Sequence, residues 1–323
     1  MSEPQGLGGL VVRTTAGDVP AADLGVTLPH EHTYITLWEI PGRFDYSGQV
    51  DDEDTLAAEL ERFVAAGGRT VVDLTLPGMG RDVARVAQLG ERVGLRMVVG
   101  TGWYREPYYP PEARIDRRSV ASLADEMVRE VTDGIDGTGI RAGVIGEIGT
   151  DKPWVSAQEE RVFRAAGRAQ AATGLAVSTH TMASRVGLDQ LDLLEAEGAD
   201  PSKVVIGHAD WTPDLAYHLA LVERGALVEM DSWGHPDPRS RGLEDRAVDL
   251  LLELLHRGYE RQVLLSHDVC YLENLTAFGG HGFTYLHDHV LPRLRERGVT
   301  DDLVRTLTVD NPARVLSFTG SAG

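Results

Sequence analysis

The 323-residue chain has little sulfur and few lysines: one cysteine, Cys270, and two lysines, Lys152 and Lys203. A single thiol excludes an intrachain disulfide, which fits a reducing cytoplasm, and it excludes a thiolate-based zinc cluster. Any metal site must therefore use histidines and carboxylates. Positive charge is also scarce, since the formal net charge is −19. That argues against nucleic acid or an anionic membrane surface as partner. No apolar run approaches the roughly 18 residues that a membrane span needs. Met1 to Gly9 has no basic stretch followed by an apolar core, so no signal peptide is read there. The expectation is a cytoplasmic protein that acts on a small molecule. Low-complexity segments and linkers are missing too, which favours one domain over residues 1–323.

What is present is a regular alternation. Short apolar runs end at Leu28, Leu76, Gly100, Ile145, Thr179, Gly207, Met230 and Ser266. Stretches of helical spacing separate them, several stopped by glycine, as at Gly94, Gly174 and Gly225. Helices are expected at Asp54–Ala66, Arg81–Val93, Ser119–Thr132, Ala157–Thr173, Pro213–Arg224, Leu243–His256 and near Tyr285–Arg297. Leu10–Arg13 and the Ala16-Gly17-Asp18 turn read as a short N-terminal hairpin. Thr33 to Asp51 reads as a long loop, so the first connection is the irregular one. Eight strand–helix repeats predict an α/β fold, a (β/α)8 TIM barrel, over an open doubly wound sheet. The latter would usually carry a glycine-rich phosphate fingerprint after its first strand, and Leu28-Pro-His-Glu31 is nothing like one.

The residues at these strand ends carry the chemistry. His30 and His32 follow the first strand, Glu147 the fourth, His180 the fifth, His208 the sixth and Asp268 the eighth. Two histidines two residues apart on a strand share a face and can reach one ion. Singly, each residue has a bland reading as a cap or a hydrogen-bonded rim residue. Together, four histidines and two carboxylates at one end of a barrel form a cluster that calls for a cation. His287-Asp-His289 has the same spacing but falls on an expected helix, where residues two apart diverge. His218 and His256 also fall on helices, and alternation points His267 away from the cluster.

Five stretches resemble the phosphotriesterase family of the amidohydrolase superfamily. They are Gly25-Val-Thr-Leu-Pro-His-Glu-His32, Ala142-Gly-Val-Ile-Gly-Glu-Ile-Gly149, Thr179-His-Thr-Met-Ala-Ser184, Val205-Ile-Gly-His-Ala-Asp210 with Asp214-Leu215, and Leu264-Leu-Ser-His-Asp268. The resemblance runs over nearly the whole chain and implies a barrel with two divalent metals. His30, His32 and Asp268 would hold the more buried metal, and His180 and His208 the more exposed one. Many phosphotriesterases bridge the metals with a carbamylated lysine after strand four, but here that position is Gly146. Glu147 is then the expected bridge, as in a branch of the family, and no carbon dioxide is needed for assembly.

Two cations about 3.5–4 Å apart would lower the pKa of a shared water, and the bridging hydroxide would attack a carbonyl or phosphoryl centre. Asp268 would accept the proton. Asp210 matches a family carboxylate that relays it outward, with an N-cap for the next helix as the alternative. Zinc is the default for such ligands, and manganese, cobalt or iron also suit them. The third-strand loop, Gly102-Trp-Tyr-Arg-Glu-Pro-Tyr-Tyr-Pro110, supplies aromatic walls and one cation. Tyr104 sits near a tyrosine of the family's lactonases, and Trp38, Trp103 and Trp233 could form an apolar rim. His281, in a glycine-rich loop after strand eight, is a further candidate substrate contact. Those lactonases often carry an arginine after the strand-seven aspartate, whereas Asp231 is followed here by Ser232-Trp233. The expected activity is hydrolysis of a lactone or carboxylic ester, with phosphotriesters as side substrates. Amide hydrolysis and a non-catalytic binding role are the alternatives. Relatives are often dimers, so a homodimer is one assembly to test.

Overall fold

A computed structural model describes residues 7–37, 49–181, 183–235 and 242–320. Eight parallel strands form the central sheet: Val26–Glu31, Gly68–Asp73, Arg96–Thr101, Val144–Gly149, Val177–His180, Val204–Gly207, Leu227–Met230 and Val263–Leu265. Each pairs with its sequence neighbours, giving the (β/α)8 order. The last strand meets the first through side chains as well as backbone. Ser266 Oγ accepts from His30 N at 3.0 Å and lies 2.8 Å from both His30 O and Glu31 Oε1. Asp268 N donates to His30 O at 3.2 Å.

Helices fill the connections, and their ends follow local chemistry. Asp52, Asp82, Ser119 and Ser156 each accept a hydrogen bond from a first-turn backbone N–H. Ser156 and Glu159 complete a reciprocal capping box. The helices Ala157–Thr173 and Leu243–His256 have the expected bounds, and others differ by a residue or two. The helix after strand six is shorter than expected, Leu215–Val222, and is capped by Asp214 rather than Asp210. After the eighth strand, Leu286–Val290 and Leu291–Glu296 make one helical run.

Leu10–Thr14 pairs with Gly17–Pro20 as expected, and Phe318–Thr319 adds a third strand that the sequence reading did not foresee. This small sheet docks beneath the barrel, where Thr15 N donates to Met97 O and Arg13 donates to Val131 O. Of the first long loop, the described ends form a short ladder between Ile35–Thr36 and Gln49–Val50. Trp38 lies outside the described residues.

Strand alternation sorts the core into two clusters. Val71, Met97, Val204, Ile206, Val228 and Met230 face the helices. Val72, Val98, Val144, Val205, Leu227 and Leu264 face inward and meet Val12 and Leu24. Among the described residues, no helix is long and apolar enough to cross a membrane.

Candidate metal centre

Above that apolar plug the inward-facing positions turn polar. His30, His32 and Asp268 bring ligand atoms within 4.8 Å of one another, as do Glu147, His180 and His208. Glu147 lies between the two sets. Its Oε1 is 2.6 Å from His180 Nδ1, 2.9 Å from His208 Nε2 and 3.6 Å from His30 Nε2, while Oε2 is 3.8 Å from His32 Nε2. Asp268 Oδ1 is 3.3 Å from His32 Nε2 and 3.8 Å from His30 Nε2. All six residues expected as ligands therefore meet in one place. His208 and Asp268 both adopt φ of 54°, an uncommon backbone conformation for residues with a side chain.

Glycine 146 explains the missing lysine. Its φ is +129°, and a Cβ there would stand 2.2 Å from Ser178 O, so no side chain fits. The acidic group is supplied one residue later. Neither lysine approaches the cluster. Lys152 is exposed beside Asp151, and Lys203 donates to Arg314 O, Val315 O and Ser317 O at the chain's C-terminal end.

The sequence reading missed the groups behind the histidines. Asp231 Oδ1 accepts from His208 Nδ1 at 2.8 Å, and Oδ2 accepts from His208 N at 2.9 Å and is 3.2 Å from His30 Nδ1. Glu229 is 3.0 Å from the same His30 nitrogen. The ionised Asp231 carboxylate only accepts, so each imidazole presents an Nδ1–H to it and turns Nε2 toward Glu147. Thr75 Oγ1 contacts His32 Nδ1 at 2.9 Å and orients that ring in the same sense. Glu31, the middle residue of the HxH, accepts from His267 N and Val269 N and is 2.9 Å from His267 Nδ1. It thereby ties strand one to the turn that carries Asp268. His267 accordingly faces outward, as alternation requires. The one available signal for the missed pair was Glu229-Met-Asp231, two acids on one strand face.

A cation fits this arrangement. His30 Nε2 is buried with no hydrogen-bond partner among the described residues, and the two carboxylates it faces are beyond hydrogen-bond reach. Burial opposes ionisation of Glu147, yet His180 and His30 hold its carboxyl well below the usual range. Asp268 is likewise lowered, burial being overcome by His32 and the neighbouring histidines. Burial takes His180 down to about 4 against the pull of Glu147. Burial and the Asp268 carboxylate push the Cys270 thiol well up, so it is no competing thiolate.

The candidate substrate contacts are spread more widely. Tyr104 OH is 3.2 Å from His180 Nδ1, beside the cluster. Trp103 packs in the core under its loop, with the Arg118 guanidinium 5.4 Å from its ring. Trp233 lines a small cleft with Asp210, Trp211, Ser232, His235, Leu243, Glu244 and Ala247. Asp210 accepts from Ser232 N at 3.0 Å and Ser232 Oγ at 3.2 Å. Burial and the Asp231 charge push its pKa up to about 7. His281 is exposed and stacks on Tyr285 and His289, not on any clustered histidine. His218 is buried and bonded to Ala209 O and Thr212 O, His256 is exposed, and His287 packs edge-on to Phe63.

Residues 10–316 match the phosphotriesterase family. The chain belongs to that family. A phosphotriesterase homology protein of Mycobacterium tuberculosis is 36% identical over 326 residues, covering 96% of this chain and 98% of the relative. An N-acetyltaurine hydrolase of Dictyostelium discoideum is 30% identical over 279 residues, covering 84% and 75%. Among solved structures, the Escherichia coli phosphotriesterase homology protein complexed with phosphate in its active site superposes with a TM-score of 0.85. It is 35% identical, with coverage of 91% and 99%. The lactonase Lmo2620 of Listeria monocytogenes gives a TM-score of 0.88 at 28% identity, covering 96% and 100%. Phosphotriesterase-family members are hydrolases built on a binuclear metal centre, and the clustered side chains of this chain match that chemistry.

Proposed function

We propose that the chain hydrolyses a lactone or another carboxylic ester, with phosphotriesters as side substrates. The observation that carries this reading is Glu147 among four histidines, with Asp268 at the open end of the same cluster. His30, His32 and Asp268 would hold one divalent ion and His180 and His208 the other, with Glu147 between them. Zinc is favoured by the all-His/carboxylate donor set. When bound, such a pair supplies Lewis acidity and lowers the pKa of a shared water.

The remaining work falls to the chain's own groups. Asp231 and Glu229 hold the imidazoles in the tautomer that leaves Nε2 free. Asp268 Oδ1 takes the proton released as water adds to the acyl carbon. Tyr104 OH, beside His180, stands where an ester oxygen would approach the histidine pair. Asp210 and Trp233 line the adjoining cleft, which suits an acyl or leaving portion.

Amide hydrolysis is the second reading. The N-acetyltaurine hydrolase relative favours it, and so does Asp210, a buried carboxyl with a pKa near 7 that can deliver a proton to a leaving amine. Metal quantification followed by a screen of lactones, esters, N-acyl amines and paraoxon-like triesters tests both. Lactone or ester turnover above the other classes supports the leading reading. Strong amide turnover with negligible lactone turnover overturns it, and metal-replete protein inactive on every class favours a binding role.

A further inference from the structure

The third-strand loop carries a cation that the hydrolytic reading leaves unused. Arg105 directly follows Tyr104 and is 5% exposed. Its guanidinium lies 4.7 Å from the centroid of Tyr104 and 5.0 Å from that of Tyr108. Its one ion-pair contact among the described residues is with Asp151 at 3.5 Å, long for a charge-assisted hydrogen bond. Arg105 Nε is sealed from solvent without a hydrogen-bond partner. Other buried arginines are answered differently. Arg13 forks onto Asp18 at 2.8 and 3.1 Å and donates to Val131 O at 2.7 Å. Arg81 forks onto Glu130 at 2.8 and 2.9 Å. A buried guanidinium has five donors to satisfy, and leaving Nε idle is costly.

Its location says what would satisfy them. A Cβ on Gly149 would lie 2.7 Å from Arg105 Cγ and 3.1 Å from His180 Cβ, so the arginine stem and His180 share one notch. Tyr104 joins them, its ring caging Arg105 and its hydroxyl reaching His180 Nδ1. The cleft on the strand-six and strand-seven side is lined by Asp210 and Glu244 and disfavours an anion. The chain's net charge of −19 does not draw an anion from a distance either, so recognition has to be local.

The geometry points to Arg105, caged by Tyr104 and Tyr108, as the subsite for an anionic group on the substrate: a carboxylate, sulfonate or phosphate. The anion docks on the strand-three side, and the neutral part of the molecule extends across the histidine cluster toward Trp233. This deepens the hydrolase reading and rests on the same site, but it is tested by binding without turnover.

Metal-loaded, full-length protein is titrated with propane-1-sulfonate, a singly charged oxyanion with little affinity for divalent metals. Methyl propyl sulfone serves as its neutral counterpart. The wild type is expected to bind the sulfonate about tenfold tighter than the sulfone or better, and Arg105→Met to erase that preference. Arg105→Lys, which keeps the charge and loses the fork, falls between. Asp151→Asn removes the competing carboxylate and is expected to tighten sulfonate binding about threefold, which decides the matter if Arg105→Met fails to fold. Unchanged sulfonate binding in Arg105→Met, or weaker binding in Asp151→Asn, would overturn the inference. Active enzyme without a sulfonate preference leaves the hydrolase reading standing. Inactive protein that still prefers the sulfonate retires that reading and keeps the anion subsite.

Discussion

The two ends of the barrel interior are built from opposite materials. At the N-terminal end of the strands, Val72, Val98, Val144, Val205, Leu227 and Leu264 close on Val12 and Leu24. Nothing there needs a partner beyond shape. Two residues further along the same strand faces, Leu227 gives way to Glu229 and then Asp231, and Leu264 to Ser266. Each polar group there is placed by another: Asp231 by His208, Glu31 by Ser266, His32 by Thr75. The lower end supplies burial energy and the upper end spends it on a cluster that folding alone would not favour.

This contrast can be broken first at the top. Glu147→Ala should abolish paired metal loading and reduce turnover by on the order of 10³ or more, measured by metal analysis and steady-state kinetics. Full loading in that variant would remove Glu147 as the bridge. The complementary change is at the bottom: Leu264→Ala should cost about 2–5 kcal/mol in denaturant melts while leaving metal stoichiometry intact. A loss of metal there would mean that the two ends are not separable.

A finer cut tests the groups behind the ligands. Asp231→Asn places an amide donor against two imidazole N–H groups, and metal affinity should fall about 10- to 100-fold by competition with a chelator. The smallest effect concerns Lys203. Burial, then the Arg314 charge, brings its ammonium down to about 8 from 10.5. The folded-state pKa is the lower one, so the unfolded chain binds more protons between these values and stability rises with pH through that window. Urea melts should show a gain on the order of 1 kcal/mol from pH 8 to pH 10 that Lys203→Met lacks.

The same contrast explains what was legible in the sequence. Barrel strands and helices follow from hydrophobic period and caps, and His30, His32, Glu147, His180, His208 and Asp268 stand out because they fall in or just beyond the C-terminal halves of strands. Their supports do not stand out. Glu229 and Thr75 sit inside strand-like or loop-like text, and their roles depend on which neighbour the closed barrel brings near. Barrel closure through Ser266 and the pairing of Phe318–Thr319 with the N-terminal hairpin are contacts between chain ends, with no local pattern to reveal them. Asp210 was a candidate helix cap by position, but the helix begins later and Asp214 takes that place. Arg105 could be seen as a cation, but its unpartnered Nε could not.

The most direct test of the central claim is reconstitution of metal-stripped protein in buffer freed of carbon dioxide. With Glu147 as the bridge, the chain should take up two divalent ions with or without added bicarbonate. Uptake that requires bicarbonate would reveal a carbamate in the site and contradict the account.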